Sequence, residues 1–189
     1  MNLKHFGDSY DIVKKSLLQW LTVFGPWAAH PMFTHAVSNA EANAFSRFLG
    51  VPLVSTDVLT AQRDRRSYFA ACGDSRSIFL DPDTGVRLRR KNGKRSPKFI
   101  FSDELVEITA ARPQGLVLTF DQSLAYGSEA KQVREKLAHF GAQGLHGFAY
   151  VSHASFLILG KSRDVVADAK EHVVRASELP ERRILDSYD

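Results

Sequence analysis

Three acids stand at the ends of apolar runs, where a strand would deliver them to the edge of a sheet. Ser77-Ile-Phe-Leu-Asp81 is a brief run ending in acid, and Pro82 and Asp83 extend its end. Gly115-Leu-Val-Leu-Thr-Phe-Asp121 is a longer one, followed by Gln122 and Ser123. Gly147-Phe-Ala-Tyr-Val-Ser152 ends next to His153. Carboxylates are hard oxygen donors, so Asp81, Asp83 and Asp121 form a candidate ligand set for Mg²⁺ or Mn²⁺, ions that position a phosphodiester and activate water. His153 is the matching candidate for general acid–base work, because free imidazole titrates near pH ~6.5. Two other uses of these residues compete with catalysis. Asp81-Pro82-Asp83-Thr84-Gly85 also has turn chemistry, with Pro presetting φ and Gly accepting positive φ. Asp121 suits a cap as well as a ligand role, and His153 suits a structural histidine. Asp8 and Asp11 join the acids only if their helix starts at the same edge, and otherwise act as helix N-terminal caps.

Immediately after the Asp81–Gly85 turn comes a second chemical feature. Arg87, Arg89, Arg90, Lys91, Lys94, Arg95 and Lys98 lie within twelve residues that contain no acid. The whole chain has 189 residues, 25 Lys plus Arg and 21 Asp plus Glu, for a net charge of +4. Without this segment the remainder holds 18 basic against 21 acidic residues, so the positive balance belongs to one stretch. Such a cluster suits a nucleic acid or another polyanion, with salt-sensitive affinity. Asn92-Gly93 is a favoured two-residue hairpin turn. Val86 to Phe101 therefore reads as a β-hairpin with a cationic tip, a shape that fits a DNA groove. A charge-protected edge that resists aggregation is the plainer reading.

The elements that must position these groups follow from periodicity. Val13, Leu17, Trp20, Leu21 and Phe24 recur at helical spacing, predicting a helix from Ser9 to Phe24 that Gly25-Pro26 stops. Pro31 to Val37 reads as a short strand or extended segment. Ser38 and Glu41 mark the start of a helix over Asn39 to Leu49, and Gly50 ends it. Val51 to Ser55 reads as a short buried strand, and Asp57 to Gly73 as exposed helix and loop. Helices are expected after Ser102, after Ser128 and from Ser162 to Arg175, and Ala154 to Leu159 is a last strand. Apolar runs alternating with helices predict one Rossmann-like α/β domain over residues 1–180, with a doubly wound, mostly parallel sheet and the basic hairpin as an insertion. Residues 181–189 read as a mobile tail. In open α/β sheets ligands bind beyond the carboxyl ends of the strands, where the acids would lie.

Composition narrows the setting. With 44% hydrophobic and 24% charged residues the chain is ordinary globular protein. Cys72 is the only cysteine, so neither an intrachain disulfide nor a cysteine zinc cluster is available. The first residues lack a signal-peptide pattern and no apolar stretch approaches membrane-spanning length, which together predict a cytoplasmic protein without a membrane partner.

Taken together, Phe6-Gly-Asp-Ser-Tyr-Asp-Ile-Val-Lys14, Phe79-Leu-Asp-Pro-Asp-Thr-Gly85, Phe120-Asp-Gln-Ser123 and Phe148-Ala-Tyr-Val-Ser-His153 resemble a group of bacterial and phage-associated α/β proteins of uncharacterised activity. More remotely, the Asp81-Pro82 pair at a strand end is similar to the catalytic-loop position of Rossmann-like methyltransferases and to three-Cys-motif partner proteins. That likeness implies S-adenosylmethionine chemistry. The chain departs from it in having no glycine between Pro31 and Asn43, no G-x-G anywhere, and Asp83 where DNA amino-methyltransferases usually have Pro. The leading expectation is metal-assisted phosphodiester hydrolysis on nucleic acid. The alternatives are an active or degenerate methyltransferase and a non-enzymatic nucleic-acid or protein-binding module.

Overall fold

A computed structural model describes residues 1, 3, 6–73, 75–90 and 93–186. Its centre is a six-stranded sheet built from β1 (Trp27–His30), β2 (Ser77–Leu80), β5 (Leu116–Asp121), β6 (His146–Val151), β7 (Ser155–Gly160) and β8 (Ile184–Asp186). The spatial order is β1-β2-β5-β7-β6-β8. Only the β1–β2 and β2–β5 pairs are parallel; β5–β7, β7–β6 and β6–β8 are antiparallel. The expected mostly parallel, doubly wound Rossmann-like sheet is thus incorrect, and the sheet is mixed. The reason is local. Only Ser152, His153 and Ala154 separate β6 from β7, and parallel neighbours need a crossover of a dozen residues or more. β7 therefore folds straight back beside β6 and inserts antiparallel between it and β5.

Helices cover both faces. On one side lie α1 (Ser9–Leu21), α2 (Asn39–Leu49) and α6 (Arg163–Ser177), whose Leu17, Phe45 and Val173 join Phe79, Leu118 and Ile158 of the sheet. On the other lie α3 (Arg65–Phe69), α4 (Ser102–Ala110) and α5 (Glu129–Ala142), whose Phe69, Leu105 and Phe140 pack on Ile78, Val117 and Leu159. Alternate residues of each strand serve alternate faces, which is why the central strands are apolar throughout.

Several predicted boundaries move. The first strand is Trp27–His30, directly after the Gly25-Pro26 break, and Pro31 to Val37 is irregular. Val51 to Ser55 contributes only an isolated bridge from Leu53 to Ala29. Within the predicted tail, Ile184–Asp186 pairs with β6 and closes one sheet edge. The basic segment is also not a hairpin. β3 (Gly85–Arg87) and β4 (Phe99–Phe101) pair in parallel as a separate two-stranded sheet. The chain between them must cross back, which a two-residue turn at Asn92-Gly93 cannot achieve. Lys91 and Asn92 lie outside the described residues. No helix among the described residues is long and apolar enough to cross a membrane.

Candidate functional site at the carboxyl rim

β1, β2, β5 and β6 all point the same way, so their carboxyl ends share one rim, as the sequence predicts. α1 also starts there. Asp8 caps it, accepting from the Tyr10 and Asp11 amides at 2.9 and 3.1 Å. This places Asp11 and Lys14, one turn further, over the end of β2. Lys14 Nζ donates to Asp11 Oδ1 and to Asp81 Oδ2, both at 2.9 Å. All three side chains are buried, with exposures of 6, 3 and 1%. Two carboxylates thus share one ammonium. Burial lifts the Asp81 carboxyl above its usual range despite the opposing Lys14 charge. Burial also works against the Lys14 charge, but Asp81 and Asp11 outweigh it and hold the ammonium above its ordinary value.

Above this triad is a cavity of about 250 Å³ lined in part by Tyr10, Asp81, Asp83, Phe120 and Gln122. Gln122 donates to the Tyr10 hydroxyl at 2.6 Å, and the exposed His153 ring lies 4.5 Å from the Tyr10 ring. Asp83 accepts from Lys98 at 2.8 Å. Burial opposes its ionisation, yet the Lys98 hydrogen bond and charge prevail and hold its carboxyl below the usual range.

Asp121 does not join them. Leu80 and Thr119 are register partners, so Asp81 shares a sheet face with Phe120, and Asp121 points to the opposite face. There its Oδ2 accepts from Lys136 Nζ of α5 at 2.5 Å, and Oδ1 accepts from the Val86 and Ser123 amides at 3.0 Å. Ser123 Oγ is 2.6 Å from the same Oδ1. Gly85, at φ +140°, closes the arrangement, because a Cβ there would collide with the Asp121 carboxylate. Asp121 ties the start of β3 to the end of β5, and both its oxygens are engaged.

The three expected Mg²⁺ or Mn²⁺ ligands do not come together in this arrangement. Asp81, Asp83 and Asp121 are each bound to a lysine, and the first and third lie on opposite faces. No group of three or more His, Cys, Asp or Glu among the described residues could hold a metal ion. His153 is on the rim but lies against Tyr10 rather than beside an Asp81–Asp121 centre. The stretch after β1, where a methyltransferase resemblance puts a glycine loop, is filled by buried Met32 and Phe33.

The rim continues into the basic segment. Arg87 stacks on Phe99, its guanidinium carbon 3.6 Å from the ring centre. Arg90 pairs with Asp103 at 2.7 Å and Glu104 at 3.1 Å, and Lys98 with Asp83. Arg65, from the poorly patterned 57–73 stretch, pairs with Glu104 at 2.6 Å and donates to the Phe99 carbonyl at 2.8 Å. Arg89, Lys94 and Arg95 are exposed and make no ion pair with any described residue. Lys14 and Lys136 were not anticipated from sequence, although both sit on apolar helical stripes, Lys14 with Leu18 and Leu21 and Lys136 with Val133 and Phe140. A lysine at a core position of a helix was the available signal.

No protein-family model, no curated protein and no solved structure matches the chain.

Proposed function

We propose that the chain binds nucleic acid along its carboxyl rim, with Arg89, Lys94 and Arg95 as phosphate contacts. The observation that carries this is the division of the basic segment. Arg90 and Lys98 are tied to acids of the fold and Arg87 lies on Phe99, which braces the segment. Arg89, Lys94 and Arg95 are exposed and pair with no acid among the described residues. Exposed cations without acidic partners gain by meeting a polyanion, which releases its own counterions. Of the rim acids, Asp83 is paired with Lys98, while Asp11 and Asp81 share the single ammonium of Lys14.

Fluorescence anisotropy with a labelled oligonucleotide tests it. Three phosphate contacts give a log K against log salt slope of about −2 on single strands and nearly −3 on duplex, or roughly 20- to 40-fold weaker binding at 200 mM than at 50 mM salt. R89A/K94A/R95A removes that part of the slope and the affinity with it. Equal affinity and slope in the variant would sink the proposal.

A further inference from the structure

Tyr126 is the most exposed large hydrophobic residue of the described chain, at 101% of its reference exposure. It sits in the loop between β5 and α5, at the carboxyl rim. Single exposed hydrophobics are common on proteins, so exposure by itself carries nothing. What distinguishes Tyr126 is how firmly its backbone is held. The Ser128 amide donates to the Ala125 carbonyl at 3.2 Å, closing a turn around Tyr126 and Gly127. Gly127, at φ +79°, takes the third position, which such turns reserve for glycine. Gln132 of α5 clamps the turn from below. Its Oε1 accepts from the Ala125 amide at 3.2 Å, and its Nε2 donates to the Ser128 hydroxyl at 2.7 Å. The Gly127 amide is taken by Glu129 at 3.1 Å. The turn is fixed while the ring it presents touches nothing.

The same loop is stitched to the basic segment. The Gln122 amide donates to the Thr84 carbonyl at 2.9 Å, and Ser123 Oγ lies 2.9 Å from the Val86 carbonyl. Arg87 follows Val86. Tyr126 is three residues from Ser123, so its backbone lies within about 10 Å of that junction. A firmly held, fully exposed ring on a loop hydrogen-bonded to the strand that leads into Arg89 is a pairing that single-stranded nucleic acid uses, with cations tracking phosphates and an aromatic face accepting an unstacked base. A duplex keeps its bases stacked and offers such a ring nothing.

Resting on the nucleic-acid reading above, we infer that Tyr126 is a stacking platform and that the ligand of this rim is single-stranded. The test compares labelled dT20 with a 20-base-pair duplex, using the full chain, Y126A and Y126F. On dT20, Y126A binds about 5- to 150-fold more weakly. Its salt slope stays at the wild-type value, because stacking releases no counterions, and its duplex affinity does not change. Y126F restores binding, since the ring rather than the hydroxyl makes the contact. Tyr126 makes no packing contact, so unfolding does not obscure the result; an unchanged thermal transition verifies this. Wild-type affinity of Y126A for dT20, or an equal loss on the duplex, would overturn the inference. Failure of the underlying reading looks different, because R89A/K94A/R95A would then bind both oligonucleotides as the wild type does.

Discussion

Replacing Lys14 by Met keeps an unbranched apolar stem, one atom shorter, and deletes the charge. Nζ lies 2.9 Å from a carboxylate oxygen on either side, and none of the three side chains is more than 6% exposed. At an effective dielectric of 20 each contact is worth about 6 kcal/mol in gross Coulomb energy, most of it offset by the cost of taking the charges out of water. Removing the shared partner leaves Asp11 and Asp81 buried and uncompensated, a change that costs about 3–5 kcal/mol. One escape limits the loss: Asp81 takes up a proton, which costs about 4 kcal/mol at pH 7 for a carboxyl of ordinary affinity. That cost falls by about 1.4 kcal/mol for each pH unit of acidification. The sign follows from linkage. Burial already raises the folded Asp81 carboxyl above its unfolded value, and losing Lys14 raises it further. The folded variant then binds more protons than its unfolded chain, so its stability falls as pH rises. Urea unfolding at pH 5, 6, 7 and 8 measures this. The K14M deficit is expected near 3–5 kcal/mol at pH 7 and to shrink toward pH 5. A deficit below about 1 kcal/mol, or one that does not change with pH, would refute the description of Asp11–Lys14–Asp81 as one buried charge cluster.

Two more outcomes follow from buried groups away from the rim's ligand surface. Burial pushes the Cys72 thiol up to about 12, so in the native protein at pH 8 its thiolate fraction is about three orders of magnitude below that of a free cysteine. Thiol labelling should therefore proceed only at the rate of opening or unfolding, and rapid labelling of the folded chain would contradict the packing of Cys72. His30 is fully buried beside the Tyr68 and Phe69 rings, and burial lowers it to about 4. Its neutral form belongs to the fold, so its contribution is present above the unfolded value near ~6.5 and is lost, by roughly 3 kcal/mol, as pH falls toward 4. A His30→Gln variant should flatten the acid limb of a stability–pH profile over that window; an unchanged acid limb would place the cause elsewhere.

Local chemistry was readable wherever the signal was short-range. Ser38 and Glu41 form the reciprocal capping pair, with the Ser38 amide donating to Glu41 at 2.8 Å, and Gly50 ends α2 at φ 76°. The runs at Ser77, Leu116, His146 and Ser155 are strands because apolar side chains alternate onto two covered faces. Trp27–His30 was hidden by the Gly25-Pro26 break and a sequence with no β-branched residue. The face of α1 was misjudged by part of a turn. Asp11, Lys14, Leu18 and Leu21 point inward, whereas Val13 and Trp20 are only half-buried. A lysine one turn after an acid on that stripe resembles solvated surface until its partner sixty-seven residues away is known.

The sequence by itself determined that acids stand at strand ends and that one segment holds the positive charge. Residue type and short spacing suffice for those. Tertiary structure alone decided which acids meet. Successive strand residues face opposite sides, so the register Leu80–Thr119 sends Asp81 to Lys14 and Asp121 to Lys136 on the other face. It likewise made β3 and β4 parallel, where the local sequence suggested a hairpin. Register and strand direction are long-range properties, and neither is encoded in the residues on which the site depends.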